Sequence, residues 1–348
     1  MIVSIQYLRG LAAFLVLLNH VAWKSQQHGR HALDGFNIGE CGVDIFFVIS
    51  GFIMCHVTSG GRVAIAGFVR NRLLRILPLY WILTTVALGA FLLMPGRVNS
   101  SGGSTHVLAS YLLLPTEGKF LIEAGWTLSY ELLFYGLFAG GLLLSGWTGR
   151  AWVAGALVVL ASLRAWHPFM HPVAAFLTSD LLLEFAYGIG LYWLFLRNPL
   201  QRAWSAALVG AIGVALFAAA NASPDRHFLS PVRAFNYGVP AFLVCWSAVS
   251  LERPIARHKV RWLERLGDAS YSLYLSHVFS IGAFAVIAGG IPGSGPWVDL
   301  PMAALMVTAA LAGGLLCYRW IEQPARRALK SGFAARVPRP HPYSTART

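Results

Sequence analysis

Charge is what this 348-residue chain has least of. Asp, Glu, Lys and Arg make up 12% of it, about half the roughly 25% usual in soluble proteins. Acidic residues are scarcest, 14 against 27 Lys and Arg. So few charges cannot cover the surface of a soluble domain of this length, which excludes a soluble globular enzyme. A disordered chain is excluded too, because 57% of the residues are apolar and the mean hydropathy is +0.61. Four cysteines (Cys41, Cys55, Cys245 and Cys317) show neither CxxC nor metal-ligand spacing, so no disulfide scaffold and no metal are expected. Nucleic acid is not an expected partner despite the net charge of +13, because the basic residues are dispersed between apolar runs. What remains is an all-α, polytopic integral-membrane helical bundle with the bilayer as its solvent and membrane lipids as partners.

Apolar runs divide the chain into about ten transmembrane helices, near residues 4–23, 41–58, 73–94, 125–146, 150–165, 173–196, 203–220, 235–251, 269–290 and 299–320. The short apolar stretch 104–115 reads as interfacial or re-entrant. The first run ends in Ala22-Trp23-Lys24 without a small-x-small cleavage site, so it is expected to stay in the membrane. With ten spans, 20 of the 27 Lys and Arg fall on the side of the N-terminus and 7 on the other, which predicts both termini in the cytoplasm. Residues 1–330 form one membrane-embedded domain. Residues 331–348, basic and carrying Pro338, Pro340 and Pro342, form a disordered cytoplasmic tail.

Ionisable side chains inside such spans are costly and point to function. Arg9 and His20 are 11 residues apart, which puts them within about 20° on one helical face and about 16 Å apart along it. Arg9 then sits at the cytoplasmic mouth, with His20 deeper beside Asn19. Arg72 and Arg75 are i,i+3 neighbours at the same border. Adjacent guanidiniums repel one another unless an anion lies between them, and phosphate suits the planar fork of Arg. Asp44 enters from the outer side, four residues after Glu40. Glu131 lies about two turns inside the next outer border, Asp180 and Glu184 form an i,i+4 pair, and His277 falls near mid-membrane. Each admits a purely structural reading, a snorkelling cation or a hydrogen bond between helices. Taken together they describe a polar interior with cations at one mouth and carboxylates and histidine further in.

These residues carry a resemblance. Arg9-x10-His20, the run Gly42-Val43-Asp44-Ile45-Phe46-Phe47-Val48-Ile49-Ser50-Gly51-Phe52 and Arg72-x-x-Arg75 resemble signatures of the acyltransferase 3 family. So do Trp126-Thr127-Leu128-Ser129-Tyr130-Glu131, Ser270-Tyr271-Ser272-Leu273-Tyr274-Leu275-Ser276-His277 and Tyr318-x-x-Ile321-Glu322-x-Pro324. The likeness runs from about residue 4 to 325, and the opening Ser4-Ile5-Gln6-Tyr7-Leu8-Arg9-Gly10 is similar to the exopolysaccharide O-acetyltransferase branch. The lipase-like domain of some relatives is not expected. The resemblance implies an integral-membrane O-acyltransferase in the bacterial inner membrane. It would move an acyl group, acetyl by expectation, from cytoplasmic acyl-CoA (acetyl-CoA) to a hydroxyl of a carbohydrate or lipid-linked saccharide. It also implies His20 as the essential histidine, Arg9, Arg72 and Arg75 as acyl-donor arginines, and Glu131 as the intramembrane acid.

The chemistry of the side chains agrees. CoA is a polyanion confined to the cytoplasm and needs cations at that face. A sugar hydroxyl is a poor nucleophile and needs a base such as neutral imidazole. Glu131 could orient an imidazole or bind the sugar, and both direct transfer and a transient acyl-histidine stay open. Two other classes compete. A transporter or flippase of a lipid-linked sugar or an anion would use the same charges as a proton relay and consume no acyl-CoA. A non-catalytic assembly factor would tolerate His20→Ala.

Overall fold

The structure is a computed structural model and describes residues 2–61, 63–94, 103–167, 169–197, 200, 202–222, 232–289 and 295–334. It is helical throughout, and the described residues pair as β only at an isolated bridge between Thr105 and Lys119. In chain order the helices begin with α1 (Val3–Gln27), then a 3₁₀ turn (Ile38–Glu40) into α2 (Cys41–Val57), and α3 (Ile65–Leu93). Next come α4 (Val107–Leu112), α5 (Gly125–Gly141), α6 (Gly146–Trp166), α7 (Pro172–Leu177) and α8 (Leu182–Arg197). The remainder are α9 (Ala203–Ala222), α10 (Val239–Ser250) with a π turn (Ala234–Gly238) ahead of it, α11 (Glu252–Arg257), α12 (Arg261–Asp268) and α13 (Ser270–Gly289). Then α14 (Pro296–Cys317) runs through a second π turn (Tyr318–Glu322) into α15 (Gln323–Ala334).

Seven helical stretches are long and apolar enough to cross a bilayer, or eight if the α12–α13 pair, bent by 73°, counts as one span. Helix α5 and the Ala234–Ser250 stretch are shorter than that criterion. The segment expected over 173–196 corresponds to one candidate span, Pro172–Arg197, whose helical hydrogen bonding is interrupted between α7 and α8. There Thr178 Oγ1 donates to the Ala174 carbonyl at 2.7 Å and Ser179 Oγ accepts from the Leu181 amide at 3.4 Å, side-chain bonds that compete with helix continuation. The apolar stretch 104–115 holds only the six-residue α4. Helix α15 reaches Ala334, so the tail expected from 331 is helical at its start, and the rest of that tail, with Arg336, Arg339 and Arg347, lies outside the described residues. Arg62, Arg97 and Arg226, which contribute to the charge count of the loops, lie outside them as well.

Three devices hold the site elements together. The first amides of α1 have no intrahelical acceptor, and the Glu252 carboxylate takes two of them, Val3 and Ser4, at 2.8 Å each. Gly10 and Gly267 let α1 touch α12, since a Cβ on Gly10 would come within 2.9 Å of the Gly267 nitrogen. Gly51 and Gly188 do the same for α2 and α8, where either Cβ would meet a backbone carbonyl of the other helix. The larger apolar core lies between α2, α3, α5 and α8, around Phe52, Tyr80, Phe134 and Phe185. A smaller one joins α1, α13 and α14 through Leu17, Leu273 and Met306. Outward faces are apolar as well, with Val86, Leu93, Val159 and Val214 all exposed, as the surface of a protein solvated by lipid should be.

Candidate active site

A cavity of about 580 Å³ lies among α1, α2, α3, α5 and α13. Its charged lining is Arg9, Arg75 and Glu131, contributed by three different helices. Arg9 is anchored by hydrogen bonds to Gln6 Oε1 (3.3 Å) and Ser270 Oγ (3.0 Å) and lies within electrostatic reach of Arg75, Glu131 and Glu322. Glu131 accepts from Tyr135 OH, one turn along α5, and from Ser50 Oγ at 3.4 Å. Two cations and one carboxylate leave the cavity with an excess of positive charge. Tyr271 also lines it, its hydroxyl donating to the Ile76 carbonyl at 2.7 Å.

Arg72 stands apart from Arg75. It does not line the cavity, and its guanidinium lies 5.9 Å from the Phe68 ring centroid. Its Nε and Nη1 are buried without a hydrogen-bond partner, an arrangement that costs energy until an acceptor arrives.

Away from the arginines the cavity is lined by Phe46, Thr127 and Tyr274. Thr127 spends its single hydroxyl proton on the Ala124 carbonyl (2.8 Å), so Tyr274 OH is the donor in the 2.8 Å bond between Thr127 and Tyr274. One turn further along α13 is His277, its ring centroid 6.2 Å from that of Tyr274. His20 meets it edge-to-face at 4.8 Å. Neither imidazole lines the cavity; Tyr274, which does, is the ring neighbour of His277.

The two histidines are set alike. His20 Nδ1 lies 2.9 Å from the Val16 carbonyl oxygen and His277 Nδ1 3.0 Å from that of Leu273. A carbonyl only accepts, so in the neutral rings each Nδ1 carries the hydrogen and each Nε2 presents a lone pair. His277 Nε2 is buried and unpartnered, and so are Asn19 Oδ1 and Ser276 Oγ, each one residue before a histidine. The helix backbone thus selects the tautomer that makes Nε2 the proton acceptor.

Asp44 belongs to a different cluster. It is fully buried in a bidentate pair with Arg233, Oδ1 to Nε at 3.1 Å and Oδ2 to Nη2 at 2.8 Å. Glu40 approaches the same guanidinium at 3.6 Å and Glu184 lies beside Asp44. Asp180 accepts the Ala234 amide at 2.9 Å. Arg233 falls among the loop charges in the sequence, yet it is 2% exposed. No sequence signal pairs it with Asp44, 189 residues away. Ser270, Tyr274 and Thr127 were within reach of sequence reasoning, since each sits inside a motif whose charged or histidine member drew attention first.

Among the described residues, no group of three or more His, Cys, Asp or Glu could hold a metal ion.

Residues 2–319 match the family model described as acyltransferase domain. The chain is 33% identical to exopolysaccharide production protein ExoZ of Rhizobium meliloti (strain 1021), over 92% of this chain and 97% of that protein. It is 25% identical to acyltransferase MdmB of Streptomyces mycarofaciens, over 94% and 92%. To nodulation protein 10 of Rhizobium leguminosarum bv. viciae it is 29% identical, over 94% of each chain. No solved structure matches it.

Proposed function

This chain belongs to the acyltransferase 3 family and is a membrane acyltransferase, and from that premise we propose that it moves an acetyl group from cytoplasmic acetyl-CoA to a hydroxyl of an exported carbohydrate. Its membrane is the bacterial inner membrane, crossed about ten times with both termini in the cytoplasm. The observation that carries the reading is one cavity with Arg9 and Arg75 in its wall and Tyr274 at its other end, next to two paired imidazoles whose Nε2 atoms present lone pairs.

Phosphates of the donor bind Arg9 and Arg75, with Arg72 Nε and Nη1 taking a further oxygen. The pantetheine arm, thin and long, occupies the cavity and brings the thioester carbonyl toward Tyr274. His20 Nε2 takes the proton of the acceptor hydroxyl as its oxygen attacks that carbonyl. The carbon–sulfur bond then breaks, the acyl group stays on the sugar oxygen, and the thiolate leaves to be protonated. The imidazolium formed on His20 keeps its Nδ1 hydrogen bond to Val16 and returns its proton to solvent. Glu131, held by Tyr135 and Ser50, offsets part of the charge of the arginines and keeps Arg9 oriented when the donor is absent.

Likeness to an exopolysaccharide production protein supports the carbohydrate acceptor. Mass spectrometry of the surface polysaccharide from cells with and without the gene tests the whole reading. A loss of one acetyl mass per modified residue is expected in the deletion, and identical spectra would overturn it.

A further inference from the structure

A second cavity, of about 500 Å³, lies on the opposite face of α5. The first turns of α5 are its common wall with the donor cavity. Thr127, Leu128 and Glu131 line the donor cavity, while Trp126, Ser129 and Tyr130 line the second. Spacings of three and four residues run within each set and an offset of one or two separates the sets, as they must on a helix whose opposite faces look into different spaces. This N-terminal end of α5 is the end at which the donor cavity meets Tyr274, away from Arg75 and Tyr135.

The lining is aromatic and charged at once. Tyr130 and Phe176 rings lie 4.3 Å apart at 34°, and Trp126 meets Tyr130 edge-on at 6.1 Å. Around them stand three carboxylates (Glu117, Glu123, Asp180) and two cations (Lys119, Arg164). A sugar ring has an apolar C–H face and a rim of hydroxyls that both donate and accept. Aromatic faces match the first, and carboxylates with guanidinium or ammonium groups match the second. Carboxylates outnumber cations, so a polyanion is disfavoured. The volume falls within the range of ligand sites, about 300–1,000 Å³.

We propose that this second cavity is the acceptor dock, holding a neutral saccharide segment on Phe176, Tyr130 and Trp126 while a neighbouring sugar of the same acceptor presents its hydroxyl past the N-terminal end of α5 at the Tyr274 end of the donor cavity. The assignment rests on the acyl-transfer reading above, because it takes that reading's carbohydrate as its ligand. Thr127 supplies the link: it follows Trp126 in sequence and accepts the hydrogen bond of Tyr274, the ring beside His277. A saccharide seated against Trp126 is therefore one helical face away from the far end of the donor cavity.

The test is binding, measured without donor. Oligosaccharides released from the host's surface polysaccharide by mild acid are end-labelled, split into neutral and anionic fractions, and titrated onto the purified full-length protein by thermophoresis. The neutral fraction should bind the wild type. Phe176→Ala should weaken it about tenfold, as loss of one aromatic contact implies, and Phe176→Tyr, which keeps the ring, should restore it. Arg164→Gln should weaken it as well, with acetyl-CoA affinity unchanged in all three variants. No binding to the wild type, binding of the anionic fraction alone, or equal affinity in Phe176→Ala and wild type would overturn the assignment. If the saccharide binds as described while no acyl group passes from acetyl-CoA, the acceptor dock stands and the donor reading fails.

Discussion

Arg233→Ala should be strongly destabilising, and Asp44→Asn a milder change. The guanidinium is 2% exposed and faces Asp44 in a two-bond pair, Glu40 at 3.6 Å and Glu184 beside Asp44. Removing it leaves two fully buried carboxyls, Asp44 and Glu184, crowded beside Glu40 without that counter-charge. Breaking a buried pair in this way costs about 3–5 kcal/mol. Asp44→Asn removes one charge and weakens two hydrogen bonds, but Glu40 and Glu184 remain to balance the cation, so the cost is about 1–3 kcal/mol. Thermal melting of the detergent-purified variants, followed by fluorescence-detected size exclusion, reads the order directly: wild type highest, Asp44→Asn intermediate, Arg233→Ala lowest. A wild-type melting curve for Arg233→Ala would refute the buried-pair argument. Asp44→Asn that melts like the wild type but transfers no acyl group would refute the structural role and move Asp44 into the chemistry.

Arg75→Ala should weaken acyl-CoA binding about 10–100-fold, the loss of a charge-assisted phosphate contact of about 1.5–3 kcal/mol, with lysine rescuing only in part; equilibrium binding of labelled acetyl-CoA reads it. Arg72→Ala should weaken the donor by less, since Arg72 lies off the cavity lining; an equal or larger effect would place the phosphates at Phe68 instead. Gly51→Val should abolish the folded protein, because even a Cβ there collides with the Phe185 carbonyl of α8, and a normal elution profile would contradict that close approach. Reporter fusions after residues 30 and 260 should report opposite sides of the membrane; the same side for both would end the ten-span topology.

Single helices were legible in the chain because each is written locally. Apolar runs bounded by Gly, Pro and charge mark α1, α2, α9 and α14 to within a few residues. The run 173–196 marks the Pro172–Arg197 span as well, but not the interruption within it between α7 and α8, where the Thr178 and Ser179 hydroxyls take up hydrogen bonds. Also not legible was the 73° bend before α13, beside which Gly267 of α12 meets Gly10 of α1. In the site, periodicity set Arg9 and His20 on one wall of α1. What it could not supply was the distant half of each contact: His277 beside His20, Ser270 on Arg9, Arg233 on Asp44. Arg72 and Arg75 share a helical face by spacing, but only Arg75 lines the cavity, since Arg72 lies over the Phe68 ring one turn earlier.

If His20 Nε2 removes the proton of the carbohydrate hydroxyl that receives the acyl group, as proposed, its loss stops transfer without unfolding the protein. Transfer of radiolabelled acetyl from acetyl-CoA to the host's polysaccharide, by purified wild type, His20→Gln and His277→Gln in parallel, decides this. Glutamine keeps a hydrogen-bonding side chain but cannot take the proton at neutral pH. His20→Gln should fold and bind acetyl-CoA as the wild type does while transfer falls about 10²–10⁴-fold. Near wild-type transfer by His20→Gln, with collapse in His277→Gln, would contradict it and assign the base to the other imidazole.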